Sequence, residues 1–231
     1  METNMKKLVL LALAALVAIP VLAQDDEDNN VYTAPSGKAS IEVIDYIGYG
    51  YHFVKSADFT PAWSGEVVLN ILKFNLRPVD VLGIELGVDM AWSNFDSKTD
   101  AFMQSNQLVK VVDFSHYVEG SIEKKHSGLD VFSLTAPLMV KGIFGKFEIG
   151  GGAFASWNIS GSTYCRYRQN NVRAQLEEVK AKVNPFTYGF LASVAYDDFG
   201  VYFKYYPQSS RLLPEGSVDL SYMTLGLVIG F

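Results

Sequence analysis

The chain of 231 residues contains one cysteine, Cys165, and three histidines, His52, His116 and His126. A single cysteine excludes an internal disulfide and leaves no Cys/His set at metal-ligand spacing. No phosphate-cradling glycine loop and no nucleophile elbow occurs either. Basic residues are outnumbered, with Lys+Arg 19 against Asp+Glu 25 and a net charge of −6. A nucleic-acid partner requires a basic face, so none is expected. Beyond residue 23 no apolar run is long enough to cross a bilayer as a helix. These absences leave no cofactor and no enzymatic activity to expect.

What the chain does have begins at its amino end. Lys6 and Lys7 precede an apolar run from Leu8 to Leu22, interrupted by Pro20. The run is shorter than the ~20 residues of a spanning helix, and an acidic cluster follows it. Residues 1–23 therefore read as a secretory signal helix cleaved between Ala23 and Gln24. Gln24 is not a cysteine, which excludes the lipoprotein route. Cleavage removes Lys6, Lys7 and Glu2, leaving 17 basic against 24 acidic residues, about −7. Residues 24–38, acidic and polar with Pro35 and Gly37, read as a flexible periplasmic lead-in. Residues 39–231 fit one domain.

Aromatic residues make up 13% of the chain, and apolar residues recur at every second position in segment after segment. That period is the period of a strand. At the carboxyl end Met223, Leu225, Leu227, Ile229 and Phe231 alternate with Thr224, Gly226, Val228 and Gly230. The third segment is the clearest, with Leu82, Ile84, Leu86, Val88, Met90 and Trp92 on one face. Its other face holds Val81, Gly83, Glu85, Gly87, Asp89 and Ala91. Glycines with sparse charges suit the crowded lumen of a narrow barrel rather than the wet face of a sandwich. Segment one spans about 40–55, and segment two, near 64–77, has a blurred register in which residues 67–72 fit either face. Segments four to seven place alternate residues outward by the same rule, from Phe132 to Val140, Phe147 to Trp157, Phe186 to Tyr196 and Phe199 to Tyr205.

Turns of a few residues at 77–80, 142–145 and 197–200 alternate with longer connections at 56–63, 93–127, 160–183 and 207–218. Short inner turns and long outer loops are the rhythm of a membrane barrel. With strands running alternately up and down, Phe53, Trp92, Trp157, Tyr188 and Tyr205 gather at one interface. Phe147, Tyr196, Phe199 and Phe231 gather at the other. The expected fold is all-β, an eight-stranded antiparallel up-and-down transmembrane β-barrel. Both mature termini would be periplasmic, and Phe231 would serve as the assembly signal.

The run Leu134, Pro137, Leu138, Val140 and Lys141, then Phe147 with Gly150, Gly151 and Gly152, resembles the outer-membrane β-barrel family typical of Bacteroidetes. PorT-like proteins belong to that porin-like group. Tyr202, Phe203, Lys204 and Tyr205 resemble its penultimate strand. The resemblance spans most of the mature chain. It implies an OmpA/OmpX-like barrel in the outer membrane of a Gram-negative bacterium, inserted by the barrel-assembly machinery, and it implies no shared reaction.

By alternation Glu85, Asp89, Lys141, Lys146, Glu148 and Lys204 point into the lumen, three acids and three bases. Charges out of water must be paired, so a salt-bridge network filling the barrel is expected. An eight-stranded interior is only wide enough to be filled by side chains. Recognition of an envelope or secretion partner falls to loops 93–127 and 160–183, beside the membrane lipid itself. In the second of these loops Val172, Leu176, Val179 and Val183 recur at near-helical spacing, predicting a short helix. His116 with Glu119, and His126 with Ser127, are the only residues that suggest lipid-modifying chemistry. They do so weakly.

Overall fold

The computed structural model describes residues 38–98, 100–105, 107–113, 124–169 and 172–230, all within one compact unit. These residues form strands and turns, with no helix among them. The proposed signal segment, the lead-in to residue 37, the Ala23–Gln24 bond, His116, Glu119 and Phe231 lie outside the described residues.

Eight strands close into a ring: β2 (Tyr46–Lys55), β3 (Gly65–Val79), β4 (Leu82–Ser97), β7 (Lys124–Phe144), β8 (Phe147–Gln169), β10 (Phe186–Tyr196), β11 (Phe199–Tyr205) and β12 (Ser221–Gly230). Each pairs antiparallel with its neighbours in chain order, and β12 pairs with β2 over ten positions to shut the circle. Closure removes the open edges that would otherwise template aggregation. Four further strands decorate the ring: β1 (Lys38–Glu42), β5 (Asp100–Ser105), β6 (Leu108–Asp113) and β9 (Val172–Ala181).

The outward face is apolar where a water-soluble barrel would be polar. Ile84, Leu86, Leu138, Val140, Ile149, Phe190, Val201, Leu225, Leu227 and Ile229 are all exposed. On β10 the outward positions run from Tyr196 to Phe186, ten steps apart. At about 3.3 Å per residue and a tilt of ~40°, that belt is about 25 Å tall. The height equals that of the apolar band of membrane barrels. Trp92, Trp157, Phe186 and Tyr188 edge it at the long-loop end, and Phe147, Tyr196 and Phe199 at the short-turn end.

The tight connections use the residues such turns demand. Gly145 and Asp197 both have positive φ, 65° and 55°, at two-residue hairpin turns. The blurred second segment has a structural cause. Pairing of β3 with β4 shifts between Asn70 and Leu72, so Ile71 is an extra residue. Val67 faces out before this bulge, and Leu72, Phe74 and Leu76 face out after it. A bulge switches the parity of all that follows.

The chain departs from expectation elsewhere too. Segment one is not one strand: β1 and β2 both pair with β3 but are separated at Val43–Asp45, where Ile44 has φ 55°. The helix predicted around residues 172–183 is instead strand β9, paired with the upper part of β8. Residues 160–169 extend β8 and offer β9 a template, and backbone pairing overrides a local helical spacing. Loop 93–127 carries strand extensions of β4 and β7 together with a separate hairpin, β5–β6.

Candidate functional site

Inward residues at mid-barrel converge on Glu66, supplied by β3. Its Oε1 accepts hydrogen bonds from Lys204 Nζ at 2.7 Å and Tyr202 Oη at 2.9 Å. Only 1% of the Glu66 side chain and 5% of that of Lys204 is exposed. The pair sits away from bulk water, where each charge depends on the other. Tyr202 reaches it because the strands it crosses carry no side chains there. Gly226 lies directly opposite Tyr202, and Gly50 lies opposite Gly226. A Cβ at either glycine would overlap the tyrosine. Two residues beyond Gly50 on β2, His52 Nδ1 shares a 2.8 Å hydrogen bond with Thr224 Oγ1, and its ring stacks on Phe95.

Toward the short-turn end the lumen opens into a cavity of about 200 Å³ lined by charge. Lys141 Nζ lies 2.6 Å from Glu85 and 3.4 Å from Glu148, and Arg77 reaches Glu148 at 3.9 Å. Lys73 bridges Glu42 and Asp45, the latter at 2.6 Å. Asp89 has no cation at ion-pair distance among the described residues. It accepts hydrogen bonds from Asn70 Nδ2 at 2.8 Å and Tyr46 Oη at 2.9 Å.

Of the six charges assigned to the lumen from sequence, Glu85, Asp89, Lys141, Glu148 and Lys204 line this interior. Lys146 does not. It stands in the β7–β8 turn, 64% exposed, and pairs with Asp197 of the neighbouring turn at 2.5 Å. Alternation fails there because a turn residue has no sheet face. Glu66, the central acid, escaped sequence reading because the Ile71 bulge blurred its strand. Two apolar half-patterns offset by one residue, Val67/Leu69 and Leu72/Phe74/Leu76, were the available signal.

At the long-loop end the lumen is covered by packed apolar side chains. Phe59, Phe95, Phe102, Val109, Leu129, Leu212, Leu213 and Val218 belong to one buried cluster. Polar bonds fasten the covering segments. Asn184 donates to the carbonyls of Arg211 and Leu213, and Val218 N donates to the Val109 carbonyl at 2.8 Å. The cap therefore joins the β5–β6 hairpin to the segment that precedes β12.

Cys165 is buried beneath that hairpin against Ala101. Burial pushes its thiol up to about 11. The folded protein should therefore resist maleimide labelling at pH 8 for hours and label fully once unfolded. Rapid labelling of the intact barrel would show that the hairpin does not seal the site.

His126 and Ser127 do not face each other. Ser127 points inward, donates to the Tyr164 carbonyl at 2.7 Å and accepts the Phe102 amide at 2.9 Å. His126 points outward, 3.4 Å from Asp96 and from the Tyr164 hydroxyl. Tyr164 also donates to Asp96 across Gly128, which leaves room for the pair by having no side chain. Burial pushes the Asp96 carboxyl up from its usual value and the Tyr164 phenol up from its own. The cluster ties β4, β7 and β8 together.

Ring, belt and filled interior define a class, the closed eight-stranded antiparallel barrel with a side-chain-packed lumen. No family model matches the chain, and no curated protein matches it. Among solved structures it is similar to Neisserial surface protein A, at 10% identity and a TM-score of 0.35. That alignment covers 84% of this chain and 99% of the other. It is also similar to Ail, the attachment invasion locus protein of Yersinia pestis, at 14% identity and a TM-score of 0.31. Coverage there is 85% and 99%. The fold stated above rests on this chain's own strand pairings.

Proposed function

We propose that the protein is an outer-membrane barrel of a Gram-negative envelope, with a structural or binding role carried by its outer loops. The observation that carries this reading is a closed ring, apolar outside over about a bilayer's hydrocarbon height and ion-paired inside. In this reading the signal segment directs export, Phe231 addresses the barrel-assembly machinery, and lipid covers the belt. The short turns and both termini are periplasmic, so the apolar cap faces outward. The Glu66–Lys204 and Lys141 ion pairs, with Tyr202 between them, fill the bore and oppose diffusion through it. The occupied hydroxyl of Ser127, turned away from His126, supports a non-enzymatic role.

Membrane fractionation with heat-modifiable gel migration is the direct test. The unboiled protein is expected in the outer-membrane fraction as a compact, fast-migrating band. A soluble, heat-insensitive protein would overturn the proposal. In planar bilayers the purified barrel should give no large, stable conductance, and steady single-channel steps would refute the filled bore. The PorT-like resemblance supports one alternative, a component of a secretion or transport assembly. Extraction in mild detergent separates the two: a stoichiometric multi-protein complex favours assembly, and a lone barrel favours loop binding.

A further inference from the structure

The lipid-facing wall ends, at the top of β10, in a groove. Its volume is about 610 Å³. Phe186 and Tyr188 form its lower edge, both strongly exposed, and Phe186 lies opposite Trp157 in the β8–β10 register. These are the top aromatics of the belt, so in the membrane reading the groove starts where hydrocarbon gives way to headgroups. Ser209, Ser210, Arg211 and Glu215 line it with them.

The backbone of this lining is held in place. Asn184 donates to the Arg211 carbonyl at 2.7 Å, and the Tyr188 amide donates to Ser210 Oγ at 2.7 Å. The Tyr188 and Ser209 hydroxyls share a bond of 2.8 Å. The two charges are left unused. Among the described residues, neither the Arg211 guanidinium nor the Glu215 carboxylate has an ion-pair or hydrogen-bond partner, including each other. Lys73, Lys141, Lys146 and Lys204 are paired. Lys55, Lys98, Lys110 and Lys180 also have no ion-pair partner among the described residues, so it is the position of Arg211 in the groove that sets it apart.

We propose that this groove binds the phosphate-bearing sugar headgroup of an outer-leaflet glycolipid. Arg211 presents a planar fork of donors suited to a phosphate. Glu215, across the groove, accepts from a sugar hydroxyl. Phe186, Tyr188 and Trp157 lie against the first carbons of the acyl chains. The assignment rests on the membrane reading, since only a bilayer covering the belt brings such a headgroup to this height.

The test is titration of the delipidated, folded barrel in dodecyl maltoside with diphosphoryl lipid A, its dephosphorylated form, and inorganic phosphate. Arg211→Ser is expected to weaken lipid A binding by about tenfold or more, as loss of a charge-assisted bidentate contact implies. Lys55→Ser, which removes an exposed cation elsewhere on the ring, should leave it unchanged. The dephosphorylated lipid should bind wild type and Arg211→Ser alike. Equal affinity of wild type and Arg211→Ser for lipid A would overturn the proposal. Equal weakening by Lys55→Ser would also overturn it, by showing a diffuse charge effect. Competition by low-millimolar inorganic phosphate would assign the site to free phosphate and remove the lipid. Each variant's heat-modifiable migration, measured in parallel, reports on the membrane barrel itself, so failure of that reading is seen separately.

Discussion

Lys204→Met is expected to destabilise the barrel by about 3–5 kcal/mol, because it strands a carboxylate that has almost no access to water. Glu66 would keep its hydrogen bond from Tyr202 and lose the only cation within ion-pair distance among the described residues. Urea unfolding in detergent, followed by loss of the fast-migrating band, measures the effect. The same experiment on Lys204→Met with Glu66→Leu should recover most of the loss. Removing both partners deletes the buried charge instead of exposing it. A single variant within about 1 kcal/mol of wild type would show that water reaches Glu66 and that the mid-barrel is not sealed. A double variant no better than the single would show that the pair's packing matters more than its charge.

The second large effect is steric. Gly226→Val places a Cβ 2.6 Å from the Tyr202 hydroxyl and closer still to its ring carbons. The tyrosine also lies close over the Gly50 backbone, so it occupies a slot lined by two glycines. Overpacking of this kind costs about 1–3 kcal/mol, and displacing Tyr202 adds the loss of its bond to Glu66. We expect Gly226→Val to abolish the heat-resistant compact form. Adding Tyr202→Ala should restore part of it by vacating the slot. Gly151→Val is the matched control: it faces outward, and its Cβ would meet nothing nearer than the Leu191 carbonyl at 3.9 Å. That variant should stay within about 0.5 kcal/mol of wild type. If both glycine variants behave alike, the slot is not what positions Tyr202.

These two sites show unequally how far sequence reading reaches. The Tyr202–Lys204 strand and the Gly226 strand alternate without interruption, so their inward and outward faces were evident from residue order alone. Glu66 sits on a ring strand whose alternation is broken midway. Its side chain was assigned to neither face until the pairing with β4 located the extra residue at Ile71. Lys146 shows the opposite error, a regular count carried one residue too far into a turn. The helical spacing at residues 172–183 misled for a third reason. A ten-residue segment with both periods in it takes whichever partner the fold provides, and the extended β8 provided an edge.

By itself, the order of residues determined the strand period, the number of ring strands, the alternation of short and long connections, and an apolar face of bilayer height. Those are properties of chemistry at neighbouring positions, and a period of two is legible wherever no bulge intervenes. Only the tertiary structure decided which charges meet and where the lumen is sealed. Glu66 and Lys204 are 138 positions apart, and ring closure brings them within 2.7 Å. Asn184 and Leu213, 29 positions apart, clamp a segment that no local pattern marks as a cap. Such contacts depend on register summed around the circle, in which one inserted residue changes every facing pair.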